Sequence, residues 1–318
     1  MILCVNLNAA IDRTIVVKSL RLGEIHRSEQ VIQTPGGKGC NVARGLKSLG
    51  ESPVVTGWVG GFAGQFIEDG LRREGIGTSF AQVDSESRIC TSILDSETNA
   101  LTEIYEKGDA IPADKIAEFK KHFANIIGNY AAVTFSGSLP PGVPNDFYGE
   151  LIALARQAGV TTFLDSSGAP FKLGLEIGEP VLIKPNEKEF VELVGRKIES
   201  LAEFAQAATE ISERYQTIVV VSLGAEGALA AKRSQVFHVR PPQVTIKSAV
   251  GSGDCLLAGI AYGLTRAMPL IEAIQYGVAA GTANALTMGA GIFSKQEFEQ
   301  ILRQVVTCPA ERWRGKKM

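Results

Sequence analysis

Histidine is scarce in this chain of 318 residues. The three, His26, His122 and His238, lie far apart and offer no metal-ligand spacing. Cysteine is also sparse: Cys4, Cys40, Cys90, Cys255 and Cys308 are odd in number, scattered and without a CxxC pair. That excludes a disulfide framework and points to reduced thiols in a cytoplasmic protein. Net charge is only −2, from 32 basic and 34 acidic residues, so no global field recruits nucleic acid or an anionic membrane. Arg312, Arg314, Lys316 and Lys317 make a short basic tail that reads as solvated. No basic region followed by an apolar stretch opens the chain, so no signal peptide is expected. The small-residue segment 276–293 is interrupted by Thr282, Asn284 and Thr287, and reads as a buried helix rather than a membrane span. Two common nucleotide motifs are missing as well. A Walker A loop fails because Lys38 is followed by Gly39 and position 32 is Ile32; a dinucleotide GxGxxG from Gly37 fails at Val42.

What is present is a regular alternation. From residue 112 onward, helices at 112–127, 144–157, 169–175, 187–194 and 200–214 alternate with strands at 131–135, 160–164, 181–184 and 217–222. That pattern predicts an α/β fold, a doubly wound and mostly parallel sheet with helices on both faces. The earlier part adds a strand at 2–7, a helix from about Lys38 to Leu49, a strand at 54–58 and a helix at 65–74. Two stretches differ: residues 13–34 and 89–106 read as antiparallel strands without an intervening helix. They are expected to pair as one small β lid, 12–35 with 87–108, over a main part formed by 1–11, 36–86 and 109–318.

Ligands of open α/β sheets gather at the C-terminal strand ends. Four polar clusters fall there: Ser136-Gly137-Ser138, Asp165-Ser166-Ser167, Lys184-Pro185-Asn186 with Glu189, and Ser222-Leu223-Gly224-Ala225-Glu226-Gly227. The stretch with most chemistry is Val250-Gly251-Ser252-Gly253-Asp254, followed by an apolar helical run. Its exposed N–H groups at a helix N-terminus suit a phosphate, and Asp254 suits a proton acceptor beside it. A glycine-rich turn with an Asp N-cap describes the same residues. Asn186 and Glu189, three apart at a helix start, could hold the water shell of Mg²⁺ or form a capping box. Asp12 follows the first strand, where a ligand contact or a plain turn is equally served. Arg27, within the first antiparallel excursion, and Arg88, at the entry to the second, read alone as surface charges.

Taken together, Gly36-Gly37-Lys38-Gly39-Cys40-Asn41, Lys184-Pro185-Asn186 with Glu189, the Ser222 to Gly227 turn and the Gly251 to Asp254 stretch resemble the PfkB branch of the ribokinase-like carbohydrate kinases, over residues 2 to 305. Leu7-Asn8-Ala9-Ala10-Ile11-Asp12 and Ser136-Gly137-Ser138-Leu139-Pro140-Pro141-Gly142 resemble its phosphosugar kinases, which act on fructose 1-phosphate, tagatose 6-phosphate or fructose 6-phosphate. The resemblance implies ATP as phosphoryl donor, fructose 1-phosphate ahead of the other two acceptors, and a homodimer joined through the lid. It implies Asp254 as base, kept ionised by its helix N-terminus, with Gly251, Ser252 and Gly253 as anion hole. Lys184, Asn186, Ser222, Gly224, Gly227 and Asn284 would contact ATP, and Asn186 and Glu189 would organise Mg²⁺ through water. Asp12, Gly37, Lys38 and Asn41 would hold sugar hydroxyls; Arg88, Arg27 and Ser138 would hold the substrate phosphate. Two departures stand out. Ser248-Ala249 replaces an Asp-Thr pair near which some relatives bind a monovalent cation. Ala9 replaces a proline, which is expected to loosen the turn presenting Asp12.

Overall fold

Successive residues of a strand face opposite ways, and here both sets are apolar along the central strands. Leu3, Val5, Val133, Phe135, Leu164, Val219 and Val221 belong to one buried layer. Ile2, Cys4, Ala132, Phe163, Leu182, Ile218 and Val220 belong to another. Strands buried on both faces must be covered on both sides, the condition met by parallel sheets with helical crossovers. The computed structural model, which describes residues 1–309, has that architecture. The basic tail at Arg312, Arg314, Lys316 and Lys317 lies outside the described residues.

The main sheet has ten strands, in the order Val306–Pro309, Gln235–Arg240, Ala228–Lys232, Ile218–Ser222, Leu182–Ile183, Thr161–Asp165, Ala132–Ser136, Ile2–Val5, Val54–Thr56 and Gly77–Thr78. From Gly77–Thr78 through Ile218–Ser222 every pair is parallel. The remaining three strands add antiparallel pairs at one edge. One face carries helices Ala113–Ile126, Phe147–Gln157 and Leu201–Tyr215; the other carries Lys38–Ser48, Gly61–Arg73, Ser252–Thr265 and Leu270–Ala285. Ser136, Asp165 and Ser222 end parallel strands of this sheet, and Lys184 follows Leu182–Ile183, so all open onto one edge of the sheet.

A separate four-stranded sheet takes the order Gln30–Gly36, Ala10–Val17, Arg88–Asp95, Leu101–Tyr105. The two excursions are antiparallel within themselves, but they meet through a parallel pair, Ala10–Val17 against Arg88–Asp95. Its register sets Ala10 between Gly36 and Arg88, at the end nearest the main sheet.

Three expected elements are corrected. The strand at 54–58 is broken at Gly57, whose φ of +156 places it beside the Asn6 carbonyl; a Cβ there would lie 2.1 Å from that oxygen. Trp58–Gly60 leaves the main sheet and pairs with Ala81–Val83 instead. The next helix begins at Gly61 rather than 65, because the Glu86 carboxylate accepts the Ala63 N–H in its first turn. The segment 276–293 is not one helix. Leu270–Ala285 ends where Asn284 turns its side chain to neighbouring loops, and 286–293 is irregular.

Candidate active site

The helix Ser252–Thr265 starts at Gly251, whose φ of +80 and near contact with Gly291 exclude a larger residue. Cys255 N–H closes the first turn on the Gly251 carbonyl at 2.9 Å. Ser252 N–H donates to the Ala249 carbonyl at 3.2 Å, so this donor, expected to face an anion, is turned to the loop. Gly253 and Asp254 supply the next N–H groups of that turn. Asn284, expected beside a nucleotide, is fully buried. Its Nδ2 donates to the Val250 carbonyl at 2.8 Å and to Ser252 Oγ at 3.1 Å, and its Oδ1 accepts from Gly291 N–H at 2.8 Å. Asn284 therefore pins the loops at Val250–Ser252 and Gly291 and lines neither cavity described below.

Asp165, at the end of Thr161–Asp165, is completely buried and holds two lysines. Lys38 lies 3.1 Å from its Oδ1, and Lys184 lies 3.1 Å from its Oδ2. Burial opposes ionisation of Asp165, but Lys184 and Lys38 outweigh it and keep the carboxyl below the usual carboxylate range. The same carboxylate raises Lys38. Lys184 also sits over the anion loop: a Cβ added to Gly253 would lie 3.6 Å from its Nζ. Asp165 appeared in the sequence as one residue in one of four polar clusters. Its role as hub became visible only when residues 127 positions apart met.

Asp254 is 6% exposed and accepts a hydrogen bond at Oδ2 from Asn41 Nδ2 at 2.8 Å. Burial, and then the Asp165 charge, push its pKa to about 6, against the opposing pull of Lys38, the Asn41 bond and Lys184. The helix terminus was expected to favour its ionised form; burial and the Asp165 charge act against that form.

Asn186 and Glu189 form the full capping box. Asn186 Oδ1 accepts Glu189 N–H at 2.9 Å, and Glu189 Oε2 accepts Asn186 N–H at 2.8 Å. The cap uses one oxygen of each, leaving Glu189 Oε1 and Asn186 Nδ2 for the cavity of about 670 Å³ that both residues line. That cavity is also lined by Lys38, Asp165, Lys184, Gly251, Gly253 and Asp254. Through Ser222, Gly224 and Gly253 it joins a second cavity of about 550 Å³, mostly apolar, walled by Gly227, Pro241, Val244 and Leu256 among others. Gly227 is required in that wall, since a Cβ would meet the Val239 carbonyl at 2.1 Å.

At the other end, Asp12 is packed against Gly36, where an added Cβ would approach its carboxyl to 2.3 Å. Burial raises the Asp12 carboxyl, opposed by Arg44, the Gly37 N–H and Arg88. Arg88 donates through Nε and Nη2 to the Asn8 carbonyl, at 3.3 and 3.1 Å, and through Nη1 to the Glu106 carbonyl at 3.0 Å. Asn8 Nδ2 in turn reaches Ser138 Oγ at 3.2 Å. Arg88 thus ties down the turn that Ala9 was expected to loosen, and Ser138, Asn8 and Arg88 converge. Arg27 does not join them. It is exposed in the loop that links the far ends of Ala10–Val17 and Gln30–Gly36. Residues that sequence reasoning missed are Asn8 and the Arg44–Glu74 pair behind Asn41. No group of acidic, histidine or cysteine side chains that could enclose a metal occurs among the described residues, and no helix among them is long and apolar enough to cross a membrane.

A family profile described as pfkB family carbohydrate kinase matches residues 1–297. A tagatose-6-phosphate kinase of Staphylococcus epidermidis is 34% identical over 307 residues, 96% of this chain and 98% of that protein. A mutant of phosphofructokinase-2 from Escherichia coli superposes with a TM-score of 0.90 at 29% identity, covering 95% of this chain and 98% of the other. A possible 1-phosphofructokinase from Thermotoga maritima gives 0.87 at 26% identity, covering 97% and 99%.

Proposed function

The chain belongs to the pfkB family of carbohydrate kinases, and from that premise we propose that it transfers the terminal phosphoryl group of ATP to a hydroxyl of a hexose phosphate. The observation that carries this reading is that two cavities share Ser222, Gly224 and Gly253, with Asp254, next to Gly253, lining the polar one. The apolar cavity beyond Ser222, Gly224 and Gly227 suits a purine and ribose. The polar one suits phosphates at one side and a sugar at the other.

In this reading Asp254 accepts the proton of the attacking hydroxyl as the new O–P bond forms and the bond to the ADP oxygen breaks. Gly253 and Asp254 N–H groups at the helix start, with Lys184 above them, offset the charge on the moving phosphoryl group. Glu189 Oε1 fits an outer contact to metal-bound water, and Asn186 Nδ2 fits a phosphate oxygen. Mg²⁺ bound there would neutralise phosphate charge and help align the donor. Asp12, Gly37, Lys38 and Asn41 face the sugar.

Arg88 supports a phosphorylated substrate. Its guanidinium is held by backbone carbonyls, not carboxylates, so its charge remains available to an anion. Fructose 1-phosphate stands first among acceptors on the sequence motifs. The tagatose-6-phosphate kinase relative favours tagatose 6-phosphate as the second reading. The small sheet acts as a lid that excludes water, and it joins a second copy in a homodimer.

A coupled ATPase assay over fructose 1-phosphate, tagatose 6-phosphate, fructose 6-phosphate and ribose tests this. Turnover is expected with a phosphosugar and not with ribose; comparable kcat/KM for ribose would overturn the phosphate site. Asp254→Asn should lower kcat by roughly 10²–10⁴, the usual weight of a positioned proton acceptor. Arg88→Ala should chiefly raise KM for the sugar phosphate.

A further inference from the structure

Behind the sugar-facing residues lies a buried chain of hydrogen bonds whose members Arg44 and Glu74 belong to none of the motifs. Arg44 projects from the helix Lys38–Ser48 and is 5% exposed. Glu74, just after the helix Gly61–Arg73, clamps it through two bonds, Nε to Oε2 at 2.6 Å and Nη2 to Oε1 at 2.9 Å. Nη2 also donates to the Pro35 carbonyl at 2.6 Å, in a strand of the small sheet. Nη1 donates to Asn41 Oδ1 at 3.3 Å, and Asn41 Nδ2 donates to Asp254 Oδ2 at 2.8 Å.

We propose that Arg44, clamped by Glu74, is a positioning residue: it fixes the Asn41 amide so that Asn41 donates to one oxygen of Asp254 and leaves the other for the substrate hydroxyl. A guanidinium has donors only, so the Asn41 atom facing it must be the carbonyl oxygen. That forces the amide nitrogen toward Asp254, where an ionised carboxylate can only accept. Oδ2 is thereby engaged as an acceptor, and Oδ1 is the oxygen presented for proton transfer. Without Arg44 the amide can turn over, bringing oxygen against oxygen and swinging the carboxylate. Because Arg44 also holds the Pro35 carbonyl beside Gly36 and Asp12, the small sheet and the base share one anchor.

The proposal rests on Asp254 being the base, and the experiment keeps the two apart. Asn41→Ala, Arg44→Met and the double variant are compared by kcat, KM and the pH dependence of kcat/KM. Each single variant is expected to lower kcat by roughly 10- to 100-fold, the weight of a misplaced reacting group. The double variant should be little worse than the poorer single one, because residues acting through one contact are not additive. In both singles the acid limb should move to higher pH, since Asp254 loses its Asn41 donor while burial and the Asp165 charge still oppose its ionisation. Multiplying losses, or a limb that moves in Asn41→Ala but not in Arg44→Met, would overturn the proposal. Glu74→Gln, which keeps the volume and one acceptor, should show the same changes in smaller measure; a wild-type profile there would overturn it too. If Asp254→Asn retains turnover, the base assignment fails and this proposal falls with it. If Asp254→Asn is inactive but the cycle is additive, only the role of Arg44 fails.

Discussion

Burying Asp254 beside Asp165 has a thermodynamic consequence apart from catalysis. Its folded pKa of about 6 lies above the ordinary 3.8, so the fold disfavours its charged form. Such a group leaves stability untouched below about pH 4. It destabilises progressively as pH rises through 6, and the full penalty persists above that. A rise of this size corresponds to roughly 3 kcal/mol as an upper figure, because each pH unit is worth about 1.36 kcal/mol. Asp254→Asn should therefore melt higher than the wild type at pH 8, with the gap narrowing as pH falls to 5. A lower melting temperature for the variant at pH 8 would contradict this. The position of Asp254 in a small-residue stretch at a helix start made it a candidate in the sequence. Its raised pKa did not follow, because burial, the larger cause, and the Asp165 charge both arise only on folding, which also reveals that Lys184 and Lys38 share Asp165. Arg44 was hidden for the same reason: within its helix it is one cation among several, and its partners Glu74 and Pro35 are remote in the chain.

Glycines in a single helix serve opposite ends. In Ser252–Thr265, Gly253 faces the cavity, and a Cβ there would meet only Lys184 Nζ at 3.6 Å, an ordinary contact. Further along the same helix, a Cβ on Gly259 would come within 2.6 Å of Gly277 Cα and the Tyr276 carbonyl, where Leu270–Ala285 crosses. Gly253→Ala should keep or raise stability, by up to about 1 kcal/mol from helix propensity. In the proposed mechanism its methyl would stand where the phosphoryl group approaches, so kcat/KM should fall at least about 10-fold through the lost electrostatic contact. Gly259→Ala should instead lose about 1–3 kcal/mol in denaturant unfolding, as overpacked cores do. If the two substitutions were equivalent in both assays, the division between site and packing would be wrong. At this scale the sequence was a good guide to strands and helices, since period-2 and helical apolar patterns reflect burial directly. It misplaced the ends. Gly57 breaks a strand because of the Asn6 backbone, Glu86 starts a helix from a distance, and Asn284 ends one by bonding to two loops; none of these contacts is local.

Across the whole molecule, the small sheet is one of the parts that leave large apolar side chains open, Val31 and Ile104 on one face and others on the second. The register places Asp12, Cys90 and Tyr105 in one cross-strand row, Ile32, Thr14, Ser92 and Glu103 in the next, and Val16, Leu94 and Leu101 beyond, all on one face. Ile32, Leu101 and Tyr105 are 44%, 48% and 55% exposed there. The opposite face rests partly on the main body, where Pro35 meets Gly70. A face that bears both Asp12 and open apolar side chains fits association with the equivalent face of a second copy, which would bury the side chains and enclose the sugar. The substitution Ile32→Glu should then halve the mass seen by sedimentation at micromolar concentration. It should also raise KM for the sugar phosphate more than it lowers kcat, because in the proposed mechanism the reacting groups, Asp254 and Gly253, lie in the main body while the substrate contacts Asp12 and Arg88 lie on the sheet. The melting transition of the main body should survive. A variant that stays at the wild-type mass would show that this face does not join two copies. One that dissociates with unchanged KM would show that the sheet closes over the sugar without help from a partner.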